Sequence, residues 1–262
     1  MPTDPETRQE GAHFLLEEAA ARIVAAAELK PGETVLDAGA GVGALTEPLS
    51  KAVMPGGRVV AVESHPDRVD VLKRRGWDGV KVVQGDILHV RLPDKVDAVV
   101  ANPPYRILPA ILRRLLDHDV GRLILVMPNE LAERLTAPVG SDAYGRLTVE
   151  TALRAKTRVL FPLSRRSFEP RPFVDSCVVR LEPKKFVEPE RMGLLLDTAW
   201  ESKRKTLRHS LSPLAETLNI PPQAVTDALD WIGGGSRTAM AIAPYEWGVL
   251  AQALSTAAPR RR

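Results

Sequence analysis

Asp37-Ala38-Gly39-Ala40-Gly41-Val42-Gly43 follows a short apolar run at 34–36 and precedes a helix-favouring stretch at 44–53. A glycine-rich turn between a strand and a helix lets a ligand approach the backbone and exposes the first amides of the helix. By itself the turn does not name the ligand. An acidic residue at its entrance would repel a pyrophosphate, and no Lys-Ser/Thr ending of a phosphate-binding loop follows.

Downstream the pattern repeats. Apolar strands are expected at 58–62, 81–83, 97–101 and 122–127, with helices at 66–74 and 108–116 between them and another at 16–29 ahead of the turn. Short apolar strands alternating with helices predict an α/β fold, a parallel sheet covered on both faces in the Rossmann-like manner. Asp37, Glu63, Asp86 and Asn102 each fall just after a strand. That is the edge at which open α/β sheets bind ligands.

Asp37 suits an ammonium, such as the methionine end of S-adenosylmethionine. Glu63 can accept both ribose hydroxyls of an adenosine, and Asp86 can accept from the adenine amino group with Ile87 beside the ring. Gly39 and Gly41 admit the ligand to the backbone. At this point a dinucleotide oxidoreductase competes with a nucleoside-cofactor enzyme. Asn102-Pro103-Pro104-Tyr105 separates them. An Asn side-chain oxygen and the carbonyl of Pro103 can both accept from an exocyclic NH₂ and direct its lone pair at an electrophilic methyl, while Tyr105 stacks on the base. An S-adenosylmethionine-dependent amino methyltransferase is therefore the expected activity.

The chain has 262 residues with a net charge of +3, and a core of ordinary size fits the 44% hydrophobic content. The Lys and Arg excess lies beyond 184, where Lys203-Arg204-Lys205 and Arg208 form a cluster suited to phosphates. Strand-like runs at 149–160 and 173–181, followed by Pro183-Lys184-Lys185, place a boundary there. The expected organisation is a catalytic domain over 1–184 and a small all-helical domain over 185–262, with helices at 190–203, 211–218 and 222–231. No segment has the length and apolarity of a membrane span, and a non-secreted, cytoplasmic protein is expected. The one cysteine, Cys177, reads as a buried thiol, and the histidines have no metal-ligand spacing, so no metal is expected.

These residues closely resemble the ribosomal small-subunit RNA adenine N6-dimethyltransferase family, the dimethyladenosine transferases of archaea, bacteria and eukaryotes, over nearly the whole chain. Gly11-Ala12-His13-Phe14-Leu15 resembles the family's leading Gly-Gln-His-Phe-Leu, with Ala12 a departure, and Asp37 to Gly43 resembles Glu-Ile-Gly-Pro-Gly-x-Gly. Asn102-Pro103-Pro104-Tyr105 stands where Asn-Leu-Pro-Tyr is usual, and Pro128-Asn129-Glu130 where Gln-Lys-Glu is common. Tyr144-Gly145-Arg146-Leu147-Thr148-Val149 is similar to Tyr-Gly-Arg-Leu-Ser-Val, and Phe168 to Ser176 to Phe-x-Pro-x-Pro-x-Val-Asp-Ser.

The resemblance implies His13 and Leu15 beside the cofactor, with Asn102 touching both cofactor and base. It also implies Phe168 facing Tyr105 across the target adenine, and Arg146, Arg171, Lys203, Arg204, Lys205 and Arg208 against RNA. The implied substrate is a pair of adjacent adenosines near the 3′ end of small-subunit ribosomal RNA, met as RNA or in an immature subunit by a monomer. Read without the family, Phe168 is more often a core residue. Adenine methylation of another RNA or of DNA, and a non-catalytic ribosome assembly factor, are the alternatives.

Overall fold

The computed structural model describes residues 13–257. Gly11 and Ala12 lie outside that range. Two compact units divide the chain: one holds residues up to 132 together with 155–183, the other 133–154 together with the chain from 184. The expected boundary near 184 is thus one of three crossings. Residues 133–154, expected in the catalytic domain, join the helical tail because their apolar side chains, Tyr144 and Val149 among them, share its core.

The first unit begins with β1 (Phe14–Leu15) and α1 (Glu17–Ala26), then β2 (Thr34–Ala38), α2 (Thr46–Val53), β3 (Arg58–Glu63), α3 (Pro66–Arg75) and β4 (Val80–Gln84). It continues through β5 (Val96–Ala101), α4 (Leu108–Leu116) and β6 (Val120–Pro128), leaves for the second unit, and returns as β7 (Ala155–Leu163), β8 (Phe168–Glu169) and β9 (Ser176–Pro183). The main sheet has the order β4-β3-β2-β5-β6-β9-β7. Neighbours from β4 to β6 run parallel, whereas β9 pairs antiparallel with β6 and with β7. Strand order reverses between β2 and β5, and the crevice at such a reversal is where a ligand fits.

Alternation along the strands covers both faces of the sheet. Val35, Val59, Ala98, Val100, Ile124 and Val126 share one apolar cluster with Ile23 of α1 and with Leu49 and Val53 of α2. Ala61 packs with Leu72 of α3 in a second cluster. A separate antiparallel ribbon pairs β1 with β8, Phe14 opposite Glu169 and Leu15 opposite Phe168.

The strand expected at 149–160 is corrected: residues 146–154 form α6 (Arg146–Arg154) and only then does β7 begin. Val149 and Leu153, four residues apart, meet the same core from one helix face, a helical spacing that the β-branched Thr148, Val149 and Thr151 obscure in the sequence. The second unit also holds part of α5 (Asn129–Leu135), then α7 (Met192–Glu201), α8 (Leu207–Ser210), α9 (Leu214–Thr217), α10 (Pro222–Trp231) and α11 (Pro244–Ala257). The helix expected at 211–218 is shorter because Pro213 interrupts it. Its core is built on Trp247, and the Tyr144 hydroxyl donates to the Ile242 carbonyl at 2.6 Å.

Arg122 of β6 sews the sheet to the segment ahead of β2. Its guanidinium meets both oxygens of Glu33, at 3.0 and 2.7 Å, and donates to the carbonyls of Ala27 and Glu28 beyond the end of α1. A planar fork matches a carboxylate in this way, and a cation there complements the helix C-terminus. Breaking a largely buried pair strands the remaining carboxylate. Arg122→Met should therefore lower unfolding stability by about 3 kcal/mol, seen as a lower urea midpoint with an unchanged slope.

Candidate active site

The turn after β5 carries the reactive geometry. The Asn102 Nδ2 donates to the His13 backbone carbonyl at 2.7 Å. A carbonyl only accepts, so the amide can face in one direction alone. Its Oδ1 then points the other way, buried and with no hydrogen-bond partner among the described residues. A buried acceptor left unmatched costs about 1–3 kcal/mol, which an incoming N–H donor recovers.

His13 is the hinge of this arrangement. Its carbonyl holds Asn102, and its Nδ1 donates to the Pro170 carbonyl at 2.9 Å, because that partner too can only accept. Tyr105 lies on the other side, its ring centroid 6.5 Å from that of His13. The Tyr105 hydroxyl shares a 2.7 Å hydrogen bond with the fully buried Ser176. Burial pushes the Tyr105 phenol up to about 12, the Ser176 bond opposing it. Tyr105 therefore stays neutral and is not a base; it contributes a fixed ring.

Two expected neighbours are placed differently. Phe168 is 1% exposed and sits in the core cluster with Tyr105 packed against that cluster, so it does not form an open wall for a base. Its pairing with Leu15 turns the ring inward, in keeping with the reading of Phe168 made without the family. Leu15 is 7% exposed in the same core and holds β1 in place rather than presenting a surface.

The glycine turn fits between these parts. Gly39 has φ +85°, and a side chain there would lie 3.4 Å from the Pro104 ring, so the turn rests directly on the catalytic segment. Gly41 has φ +57° and would place a Cβ 3.0 Å from the Phe14 ring, which covers that side of the turn. Residues with a Cβ resist both conformations. Phe14 thus belongs to the site through its ring against Gly41, a contact between residues 27 positions apart that no local pattern signals.

Asp37 is buried, and the Thr46 hydroxyl donates to its Oδ2 at 2.7 Å. Burial raises its carboxyl to about 7, the Thr46 bond acting against the shift and the nearby charge of Glu63 adding to it. Glu63 is buried too. Its Oε2 accepts from the Gly41 amide at 2.8 Å and its Oε1 from the His65 amide at 2.9 Å, which fixes the carboxylate at the end of β3. Asp86 is half-exposed, and its oxygens accept from the Leu88 amide at 2.9 Å and meet the His89 Nδ1 at 3.1 Å, while Ile87 beside it is buried. Two buried carboxylates, an unmatched amide oxygen and a glycine turn form an acceptor-rich crevice. Arg68 stands 3.8 Å from Glu63 Oε1, and the acceptors around it fit a ligand that brings an ammonium and hydroxyls, as S-adenosylmethionine does.

The expected RNA contacts are dispersed. Arg171 is exposed in the loop between β8 and β9 of the sheet unit. In the helical unit Arg204, Lys205 and Arg208 are exposed and Lys203 half-buried; the Arg208 guanidinium pairs with Asp230 at 2.9 Å. Arg146 pairs with Glu150 at 2.7 Å and with Asp197, which ties α6 to α7. The motif that contains it starts a helix, the Gly145 amide donating to Thr148 Oγ1 at 3.0 Å.

The raised Asp37 pKa has a defined sign. In the unfolded chain the carboxyl titrates near 3.8, and in the folded, cofactor-free protein near about 7. Between these values the folded state holds the extra proton, so stability from this group falls as pH rises from 4 to 7. Asp37→Asn, neutral throughout, should show a shallower decline of urea midpoint across that range than the unsubstituted protein.

Comparisons with known proteins place the chain in a family. The profile of the family described as ribosomal RNA adenine dimethylase matches residues 6–223. The chain is 37% identical to ribosomal RNA small subunit methyltransferase A of Thermosynechococcus vestitus, covering 93% of this chain and 95% of the relative. It is 33% identical to the probable enzyme of that name from Thermococcus gammatolerans, over 86% of this chain and 80% of the other. Among solved structures, a dimethyladenosine transferase from Plasmodium falciparum superposes with a TM-score of 0.80 at 27% identity, over 91% of this chain and 96% of that one. The 23S rRNA methyltransferase ErmE superposes at 0.69 with 29% identity, over 92% and 99%. The chain therefore belongs to the ribosomal RNA adenine dimethylase family, S-adenosylmethionine-dependent methyltransferases that act on adenine N6 of RNA.

Proposed function

We propose that this protein methylates N6 of two adjacent adenosines near the 3′ end of small-subunit ribosomal RNA, to N6,N6-dimethyladenosine, acting on immature small subunits in the cytoplasm. The observation that carries the reading is the unmatched Oδ1 of Asn102, with its direction fixed by the bond from Nδ2 to His13. Choice of the small subunit is supported by the names of relatives that align over nearly their whole length.

S-adenosylmethionine, when bound, supplies a methyl group on a positively charged sulfur. Asp37, Glu63 and Asp86 are the acceptors that would hold its ammonium, ribose and adenine, with Gly39 and Gly41 at its backbone contact. Asn102 Oδ1 and the Pro103 carbonyl accept the two N–H groups of the target amine, which holds the nitrogen with its lone pair out of the ring plane. With the cofactor bound, that lone pair would be aimed at the sulfonium methyl, and the sulfur would keep the bonding electrons of the transferred group. The proton then departs from nitrogen to water. No side chain is required as a base, in keeping with a neutral Asn102 and a Tyr105 phenol raised to about 12. Proline at 103 leaves the carbonyl in place and restricts its φ.

A second reading, the large-subunit RNA, is favoured by the likeness to ErmE. Labelled S-adenosylmethionine incubated with small subunits lacking the modification, and separately with large-subunit RNA, separates the two when modified adenosines are mapped by mass. Label confined to two neighbouring small-subunit adenosines is expected; no label in any RNA with folded, cofactor-binding protein would sink the enzyme. Asn102→Ala should lower transfer by at least about a hundredfold while cofactor affinity stays within a few-fold. An equal loss of both would mean that Asn102 serves to organise the pocket by holding His13.

A further inference from the structure

The loop from Pro170 to Asp175 joins β8 to β9 and is fastened at both feet to the catalytic turn. At one foot the Pro170 carbonyl accepts from His13, whose own carbonyl accepts from Asn102. At the other, Ser176 bonds the Tyr105 hydroxyl, and the Asp175 carbonyl accepts from the Asn129 amide at 3.1 Å. Pro170 and Pro172 stiffen the span between, and Pro172 is buried beneath it. Phe173 stands at the crown, 94% exposed.

A single wet apolar side chain is ordinary on a protein surface. Position distinguishes this one. Phe173 stands three positions from each foot, Pro170 and Ser176, so its Cα lies within about 11 Å of residues that grip the catalytic turn. Arg171 is exposed two positions before it, and Arg165 and Arg166 are exposed just ahead of β8, Arg165 pairing with Asp175 at 3.6 Å. An aromatic face among guanidiniums is the combination that holds single-stranded nucleic acid: the ring stacks on a base and the cations meet phosphates. Phe168, buried in the core, offers no such face. The other strongly exposed aromatics, Trp231 and Tyr245, belong to the helical unit.

We propose that Phe173 is a stacking platform for the nucleobase that flanks the target adenine in the RNA strand, with Arg171 and Arg166 set against the adjoining phosphates. The inference rests on the RNA-adenine reading above and adds a subsite for the neighbouring nucleotide. It assigns the surface to an unpaired strand rather than to a protein, because the apolar surface there is small, Phe173 with Val174, and three exposed arginines share the segment, Arg165, Arg166 and Arg171.

The test uses single-stranded oligoribonucleotides with fluorescent 2-aminopurine on either side of one adenosine, titrated with the full chain and with Phe173→Ala and Phe173→Tyr. Binding should quench the probe on one side of the adenosine. Phe173→Ala should lose that quenching and bind about tenfold more weakly, while Phe173→Tyr keeps both. Melting temperature and S-adenosylmethionine affinity should be the same in all three, since the side chain touches solvent. Equal affinity and quenching in Phe173→Ala overturns the proposal, as does absence of quenching by the unsubstituted chain at both positions. Dependence on Phe173 for binding a protein, with RNA binding unchanged, also overturns it. Methyl transfer to small subunits is measured alongside: transfer indifferent to Phe173→Ala removes this subsite and leaves the enzyme standing, whereas no transfer by the unsubstituted chain removes the enzyme itself.

Discussion

The 2.7 Å hydrogen bond from Asn102 Nδ2 to the His13 carbonyl joins two segments 89 residues apart and gives the crevice its polarity. It occupies the donor end of the only side-chain amide on the turn, so what faces inward is an acceptor. It also holds β1 across the glycine turn, where Phe14 packs on Gly41 and Leu15 pairs with Phe168. Through the His13 ring it reaches Pro170 and hence the loop that leads into β9. Without this bond the amide could rotate, and the site would lose its distinction between donor and acceptor.

Charge in the crevice follows the same logic. Glu63 is anchored by two backbone amides, which compensate its burial. Asp37 has one hydroxyl donor and a neighbouring carboxylate, and burial prevails, lifting its carboxyl to about 7. Bringing a cation to Asp37 favours its charged form. A crevice of this kind gains more from a ligand with an ammonium than from one with a phosphate, so the electrostatics select the cofactor class that the strand-end carboxylates suggest.

The helical unit is organised by pairing within itself. Arg237 meets both oxygens of Glu246, at 2.7 and 2.8 Å, and Arg146 bridges Glu150 and Asp197. These cations stabilise the packing of short helices that would not persist alone. Arg204 and Lys205 are instead exposed to water, Lys205 sharing a 3.0 Å hydrogen bond with His209. Two arginines of equal standing in the sequence thus have different work, decided by which carboxylates the fold brings beside them.

Local chemistry was enough to read the alternating elements, the parallel sheet and the acidic residues at its strand ends, because strand period, glycine turns and helix propensity act over a few residues. Asn102-Pro103-Pro104-Tyr105 was legible for the same reason: its reactive groups lie within one turn. What a distant segment does to a side chain was not legible. The burial of Phe168, the engagement of Arg146, the bond from Ser176 to Tyr105 and the covering of Gly41 by Phe14 all depend on pairings between residues far apart in the chain. The allotment of 133–154 to the helical unit belongs with them, since a helix chooses its core by the shape of the apolar surface it meets. The amino acids by themselves determined which groups could accept from an amine and bind a cation. Only the tertiary structure decided which way those groups face, because direction and burial come from contacts that no local pattern encodes.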